Sequence, residues 1–274
     1  MSRCTNYSPI ARNMQTEFNI GFVGTGAIAE ALIVGLLSSG SQLVKDSSIR
    51  ISRRNAQRSN RLKELYPNIE VVDSNQEIAD QSDWNFIAVL PEQARSVLEE
   101  IEFDPQSTII SLVAGMPVNT LRELTGCQNS MRIVPLPPVE MGLGPIPIFP
   151  PNQSVEALLN EIGSAVPLGE EKELSACATA SAMMATYFEL VAKISSWLNE
   201  NGVSSANSAS YASNMLHALA ATTVDKDLQQ LKEMSDECLT TGGLNEQVLF
   251  NKRESGWFNS INENLDLILK RISK

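Results

Sequence analysis

The chain has 274 residues, 43% of them hydrophobic, and a formal net charge of −11. That is enough for one large domain or two smaller ones with real cores. The acidic balance argues against a general binder of nucleic acid or anionic membrane, because phosphate would be repelled. The four cysteines (Cys4, Cys127, Cys177, Cys238) are scattered and form no CxxC pair, so reduced thiols are expected rather than disulfides or zinc. The single histidine, His217, excludes a multi-histidine metal site, and its neighbours Met215, Leu216 and Leu219 read it as packed or at an interface.

Residues 1–17 lack the apolar core of a secretory signal and are expected to be a flexible N-terminal tail. No unbroken run of about eighteen apolar residues occurs, so no transmembrane helix is expected, and the reading is of a cytoplasmic protein with no membrane or nucleic-acid partner. From Phe18 the chain reads as a short apolar strand, a glycine turn and the opening of a helix. The spacing Gly24-x-Gly26-x-x-Ala29 is the dinucleotide fingerprint with alanine in third place. Gly24 allows the tight turn, Gly26 lets backbone approach a pyrophosphate, and Ala29 lets helix and strand pack closely. Unpaired amides at the helix start, around Thr25, Ala27 and Ile28, would face the phosphate.

Ile28, Ala31, Leu32, Gly35 and Leu36 continue at helical spacing to Gly40. Strands follow at 48–52, 69–72, 83–90, 108–112 and 131–134. Helices are expected from Asn55 to Leu65, from Pro91 to Ile101 and from Val118 to Leu124. The unbroken apolar run from Phe86 to Val89 suits a parallel strand buried on both faces. This alternation is the pattern of a doubly wound, mostly parallel sheet. Residues 135–151 carry seven prolines and read as a stiff, extended loop. A helix at 155–162 and a last strand at 166–168 close the α/β part. Beyond Glu170 only helical periodicity remains. Met183, Tyr187, Leu190, Ile194 and Trp197 share one face, and Phe258, Ile261, Leu265, Ile268 and Ile272 another. The small residues between 175 and 223 suit close helix–helix contact.

The end of the second strand reads Ser52-Arg53-Arg54. A dinucleotide site selective for NAD usually places an acid there, on the ribose hydroxyls. Two guanidinium groups instead suit a phosphate through paired hydrogen bonds, so NADP(H) is expected in preference to NAD(H). Arg58 and Arg61, one and two turns on, read as a solvated helix face.

Several segments together resemble the pyrroline-5-carboxylate reductase family. They are Ile20–Gly26 with Ala29–Ile33 and Gly35-Leu36, then Ala88–Gln93, Ser111–Met116, and Arg132–Pro135 with Pro138, Gly142 and Gly144. Leu239-Thr240-Thr241-Gly242-Gly243 is the last. The resemblance implies an NADPH-dependent reductase of a cyclic imine, 1-pyrroline-5-carboxylate or a relative of it. It also implies an N-terminal Rossmann domain, residues 18–168, and an all-helical substrate and dimerisation domain, residues 169–274. The homodimer, or higher homo-oligomer, would place its active site between one subunit's cleft and the other's helices. Cofactor contacts are implied at Val89, Leu90, Pro91, Ala114 and Gly115, besides the residues already named.

The chain departs from the family where the substrate is expected. The family usually has lysine at the position of Leu90 and asparagine at that of Leu136. It has a Gly-Ser-Gly-Pro segment where this chain reads Ala182–Ala185. Two threonines stand in the family at the positions of Leu244 and Asn245, and they are associated there with carboxylate binding and proton donation. Reducing a C=N bond leaves a nitrogen that must be protonated or already positive. Candidates for that chemistry are Thr240, Thr241 and Tyr187. Glu140, Gly242, Gly243 and Asn245 are candidates for holding the substrate. Alternatives are a dinucleotide-binding sensor or assembly protein without turnover, and a carbonyl reductase on the same scaffold.

Overall fold

The computed structural model describes residues 18–41, 44 and 47–272. The tail expected at 1–17 lies outside the described residues. The chain divides into two compact units, one reaching Cys177 and the other running from Ala178 onward.

The first unit is a single sheet of eight strands: β1 (Ile20–Val23), β2 (Ile49–Ser52), β3 (Ile69–Val72), β4 (Trp84–Ile87), β5 (Thr108–Ser111), β6 (Ser130–Ile133), β7 (Pro145–Phe149) and β8 (Ser164–Pro167). Their spatial order is β3-β2-β1-β4-β5-β6-β7-β8. Strands β1 to β6 are parallel throughout, β7 runs antiparallel to β6, and β8 is parallel to β7. The helices between them are α1 (Ala27–Ser38), α2 (Ala56–Leu65), α3 (Asn75–Asp80), α4 (Pro91–Glu99), α5 (Val118–Thr125) and α6 (Gln153–Leu159), and α7 (Glu171–Ala180) reaches the boundary. Ile20, Phe22, Ile49, Ile51, Phe86 and Ile110 are buried in one core layer, and Phe22 stacks on Phe86 at 4.6 Å. A second layer gathers Val23, Ile78, Ile87, Leu98 and Ile109. Strands buried on both faces need apolar residues at consecutive positions, which is why these segments read as continuous runs rather than alternating ones.

The proline-rich stretch departs from the extended loop expected of it. Pro137–Met141 form a 3-10 turn, and Pro145–Phe149 are the strand β7. Proline lacks the ladder N–H, so it is tolerated where few ladder bonds are required. Pro145 and Pro147 sit on alternate positions of β7, and Ile146 and Ile148, each following one of them, are fully buried. The carbonyls of Gly144 and Ile148 accept from Ser164 and Leu168 along β8. The opposite edge meets β6 in a register of only two residue pairs, Arg132 with Phe149 and Ile133 with Ile148. The prolines thus occupy the side of the strand where the ladder is shortest.

Helix α3 is a further element that periodicity did not reveal. It has six residues, capped by Ser74 Oγ, which accepts from Glu77 N at 3.1 Å, while Glu77 Oε2 accepts from Asp73 N at 3.3 Å. Gly21 on β1 makes room for it, since a Cβ there would lie 2.4 Å from Ile78. Cys127 is buried, and that burial, more than any neighbour, raises its thiol pKa, which disfavours the reactive thiolate.

The second unit is helical: α8 (Met184–Glu200), α9 (Ser205–Thr223), α10 (Leu228–Glu237), α11 (Leu244–Glu254) and α12 (Trp257–Ile272). Among the described residues of α8 to α12 only Ser208 and Ala212, both on α9, are buried, and Ser208 Oγ donates to Val203 O at 3.3 Å. Many large apolar side chains stay open, among them Phe188 at 64%, Trp197 at 62% and Leu244 at 84% exposed. His217 is exposed as well, so it is not packed within its own unit. One helical stretch among the described residues, Glu171–Glu200, has the length and composition to cross a bilayer, with a mean hydropathy of 1.2 and 11% burial. It mixes Ala, Ser and Thr with its Leu and Met rather than forming the unbroken apolar run looked for in the sequence.

Candidate functional site

The strand order reverses between β1 and β4, and in open parallel sheets ligands bind in the crevice at the carboxyl ends of the strands on either side of that point. The loops that start there are Gly24–Gly26 after β1, Ser52–Arg54 after β2 and Ala88–Leu90 after β4. A cavity of about 340 Å³ opens among them, lined by Gly24, Ser52, Arg53, Arg54, Val89 and residues 72–75.

Each glycine of the fingerprint has a separate reason, and the reasons differ. Gly24 has φ +99°, a region that side chains disfavour, and a Cβ there would stand 2.6 Å from the Ala88 carbonyl oxygen. Its amide donates to Ser52 Oγ at 3.2 Å, tying β1 to β2. Gly26 is different. It is the N-cap of α1 with φ −73° and ψ 178°, ordinary extended backbone, and it offers no side-chain cap. The nearest atom to a Cβ built on it is Ala88 O, at 3.9 Å. Nothing in the protein itself therefore requires glycine at 26. What the position does provide is an open approach to the first amides of α1, the cradle that a pyrophosphate would fill. The donor set fits a dinucleotide on this ground.

The loop is held rigidly. Thr25 is buried, its Oγ1 lies 3.4 Å from Ser52 O and 3.3 Å from Ser59 Oγ, and Ser59 Oγ donates to Ser52 O at 2.8 Å. Arg58 donates to the Thr25 carbonyl at 3.1 Å and pairs with Glu30 Oε2 at 2.6 Å, and Arg61 also pairs with Glu30. The expectation of a solvated face is thereby corrected for Arg58, whose side chain is 28% exposed, while Arg61 stays 62% exposed beside its ion pair. Glu30, in the first turn of α1, draws both guanidinium groups across from α2, and Arg58 braces the glycine loop from below.

Arg53 and Arg54 line the cavity, and each has a partner. Arg53 Nη1 lies 2.5 Å from Asp73 Oδ1, with both side chains open to solvent. Arg54 Nη1 donates to the neutral Gln93 Oε1 at 3.1 Å. Reading along β2 showed no acid at this end of the sheet. The fold supplies one from the neighbouring strand, because β3 lies beside β2 in register, Ser52 opposite Val72. That residue was missed, and the signal that finds it is the strand order.

Leu90 is the N-cap of α4 and is 57% exposed, followed by Pro91 in the first turn. Ala114 and Gly115 form an exposed turn after β5. Glu140 is exposed on the 3-10 turn, whose Val139 is fully buried against α1. Ala27 and Ile28 open α1 as read from the sequence.

The remaining candidates lie in the second unit. Tyr187, on α8, is 44% exposed and meets Phe188 edge-on at 5.8 Å. Thr240 and Thr241 are exposed just before the turn that starts α11. Gly242 has φ +73°, and its amide donates to Glu246 Oε2 at 2.7 Å. A Cβ on Gly243 would lie 2.7 Å from Thr240 O, so the Gly-Gly pair is required by the turn's own geometry. Asn245 uses its amide on the Cys238 carbonyl, at 3.2 Å.

Residues 19–115 match the family model described as "NADP oxidoreductase coenzyme F420-dependent". Pyrroline-5-carboxylate reductase 3 from Danio rerio is 34% identical over 122 residues, which are 43% of this chain and 41% of that one. The chain spans less than half the length of the first curated relatives it matches, 41%, 45% and 42%. Among solved structures, 1-pyrroline-5-carboxylate reductase from Streptococcus pyogenes superposes with a TM-score of 0.76 at 18% identity, covering 93% of this chain and 98% of that one. Pyrroline carboxylate reductase from Plasmodium falciparum with NADP bound gives 0.74 at 19% identity, covering 93% and 96%. At such identities these structures speak for the fold.

Proposed function

We propose that the chain is a divergent member of the pyrroline-5-carboxylate reductase family and reduces a cyclic imine with a nicotinamide dinucleotide, NADPH in preference to NADH. The observation that carries the cofactor part of this reading is the open glycine at 26, in the loop whose Gly24 lines one cavity with Arg53 and Arg54. A related protein of the same fold, from Plasmodium falciparum, was solved with NADP bound.

A bound dihydronicotinamide would supply hydride to the imine carbon. The amides of α1 would hold the pyrophosphate, Arg53 and Arg54 the 2′-phosphate, and Val89, Leu90, Ala114 and Gly115 are the residues that would contact the nicotinamide half. The nitrogen must end protonated. Thr240, Thr241 and Tyr187 are assigned to hydrogen-bond donation, and the exposed carboxylate of Glu140 to stabilising a cationic imine. Gly242 and Gly243 shape the turn that presents the threonines, and Asn245 braces it through Cys238.

The test has two parts. NADPH oxidation is followed with a panel of cyclic imines that includes 1-pyrroline-5-carboxylate. Turnover of any member supports the reading, and thermal stabilisation by NADPH without turnover of any imine favours the sensor alternative. That alternative draws on Leu244, an exposed leucine at a position where the resembled family carries a hydroxyl. In the second part, Arg53→Ala with Arg54→Ala should weaken NADPH by about a hundredfold and NADH by less than about threefold, since each charge-assisted bond to phosphate contributes about 1.5 kcal/mol. Equal loss of both cofactors removes the phosphate clamp.

The same reading includes a homodimer through the helical unit. Tyr187, Phe188 and Trp197 on α8, with Leu244, Val248 and Phe250 on α11, are each more than a third exposed. Apolar side chains on that scale mark an association surface. Phe188→Asp should convert a dimer to a monomer in sedimentation velocity while leaving NADPH binding in place. A wild-type monomer at all concentrations tested overturns the assembly.

A further inference from the structure

Asp73 stands where the cofactor phosphate would have to compete with it. Its carboxylate lies 2.5 Å from the Arg53 guanidinium, and both residues line the same cavity as Gly24, Ser52 and Arg54. Its backbone is fixed by the bond from its amide to Glu77, in the turn where Ser74 caps α3. Only the side chain is free to move, and at 76% exposure it can swing away from Arg53 without losing a buried contact.

We propose that Asp73 is the residue that sets cofactor selectivity here, as an exchangeable counter-ion of Arg53. The proposal rests on reading the cavity as a dinucleotide site. A 2′-phosphate carries close to two negative charges and must displace the Asp73 carboxylate from Arg53, and it then sits beside that carboxylate at like-charge distance. A bare 2′-hydroxyl makes neither demand. It can donate to a carboxylate, the arrangement by which an acid at the neighbouring strand end selects NADH. Arg53 and Asp73 thus pull in opposite directions, and Arg54, bonded to the neutral Gln93 side chain, is the arginine whose charge meets the phosphate without such a competitor. The site accepts both cofactors, with a preference for NADPH that Asp73 holds down.

Asp73→Asn removes the charge and keeps the shape. NADPH and NADH dissociation constants are measured by fluorescence titration for the wild type, Asp73→Asn, Arg53→Ala and the double variant. NADPH affinity is expected to rise about three- to fivefold in Asp73→Asn, the range of an exposed ion pair, while NADH affinity does not rise. In the Arg53→Ala background the same substitution is expected to change NADPH affinity by less than about twofold, because the counter-ion no longer has its cation. An unchanged NADPH:NADH ratio in Asp73→Asn overturns the proposal, as does an undiminished shift without Arg53. A wild type that binds neither cofactor overturns the dinucleotide reading together with it, whereas binding with an unmoved ratio removes only the role of Asp73.

Discussion

Gly24→Ala unfolds the protein at a lower temperature, whereas Gly26→Ala leaves it folded and empties its cofactor site: this is the expected result of placing one methyl at each fingerprint glycine. At Gly24 two costs combine. The φ of +99° is unfavourable for alanine, and the methyl would meet the Ala88 carbonyl oxygen at 2.6 Å. Backbone strain of about 1–3 kcal/mol and overpacking of a similar size give a loss of about 3–5 kcal/mol, a large part of an ordinary domain's stability. The neighbour cannot yield, because the Ala88 amide is itself bonded to Val23 O at 2.9 Å, at the junction of β1 and β4. At Gly26 neither cost applies, since φ is −73° and the nearest atom is 3.9 Å away. Exchanging a glycine for alanine at a helix N-cap costs about 1 kcal/mol at most. The methyl nevertheless projects into the approach to the α1 amides, and NADPH affinity should fall at least about tenfold. Urea unfolding and cofactor titration on the two variants separate the effects. Wild-type NADPH affinity in Gly26→Ala would mean that no pyrophosphate approaches that amide.

Much of this architecture was legible in the chain because its signals are local. Continuous apolar runs such as Phe86 to Val89 mark doubly buried strands, and the fingerprint spacing marks the turn after β1. Three features were not legible, each for a physical reason. The strand β7 was hidden by its prolines, which composition reads as loop and which only the sparse pairing with β6 makes tolerable. Helix α3 is shorter than two turns and buries only Ile78 and Ala79, so it carries no period to detect. Asp73 was invisible as a partner of Arg53 because twenty residues separate them, and adjacency arises only when β3 pairs with β2. The same holds for Glu30 with Arg58 and Arg61. Charge pairing across elements depends on topology, which residue spacing along one element does not encode. In the helical unit the periodicity located the helices but not their partners, since most of their apolar side chains remain exposed in the single chain.

The cofactor helix and the proline-rich turn are one mechanical unit, and Gly35→Ala should break it. Gly35 lies in the interior of α1, where alanine is normally favoured by about 1 kcal/mol. Here a Cβ would stand 2.3 Å from the Val139 carbonyl oxygen and 3.2 Å from its carbon. Both are backbone atoms of the 3-10 turn, and Val139 itself is fully buried against the helix. A flexible side chain could rotate away, but a backbone carbonyl moves only if the whole turn moves. The turn is cross-braced by Val139 N to Leu136 O at 3.1 Å and Leu143 N to Pro138 O at 3.2 Å, so its displacement carries Leu136, Glu140 and Leu143 with it. Overpacking of about 1–3 kcal/mol therefore outweighs the gain in helix propensity, and a net loss of about 1–2 kcal/mol is expected by urea unfolding. Gly40→Ala is the control. It has φ +69° with nothing within 4 Å, so it suffers backbone strain alone and leaves the turn in place. Hydrogen exchange at residues 136–143 should rise in Gly35→Ala and stay at the wild-type level in Gly40→Ala. Because the displaced turn carries Glu140, imine turnover should fall in Gly35→Ala by more than NADPH affinity does. If both fall equally, the turn acts on the cofactor helix and not on the substrate.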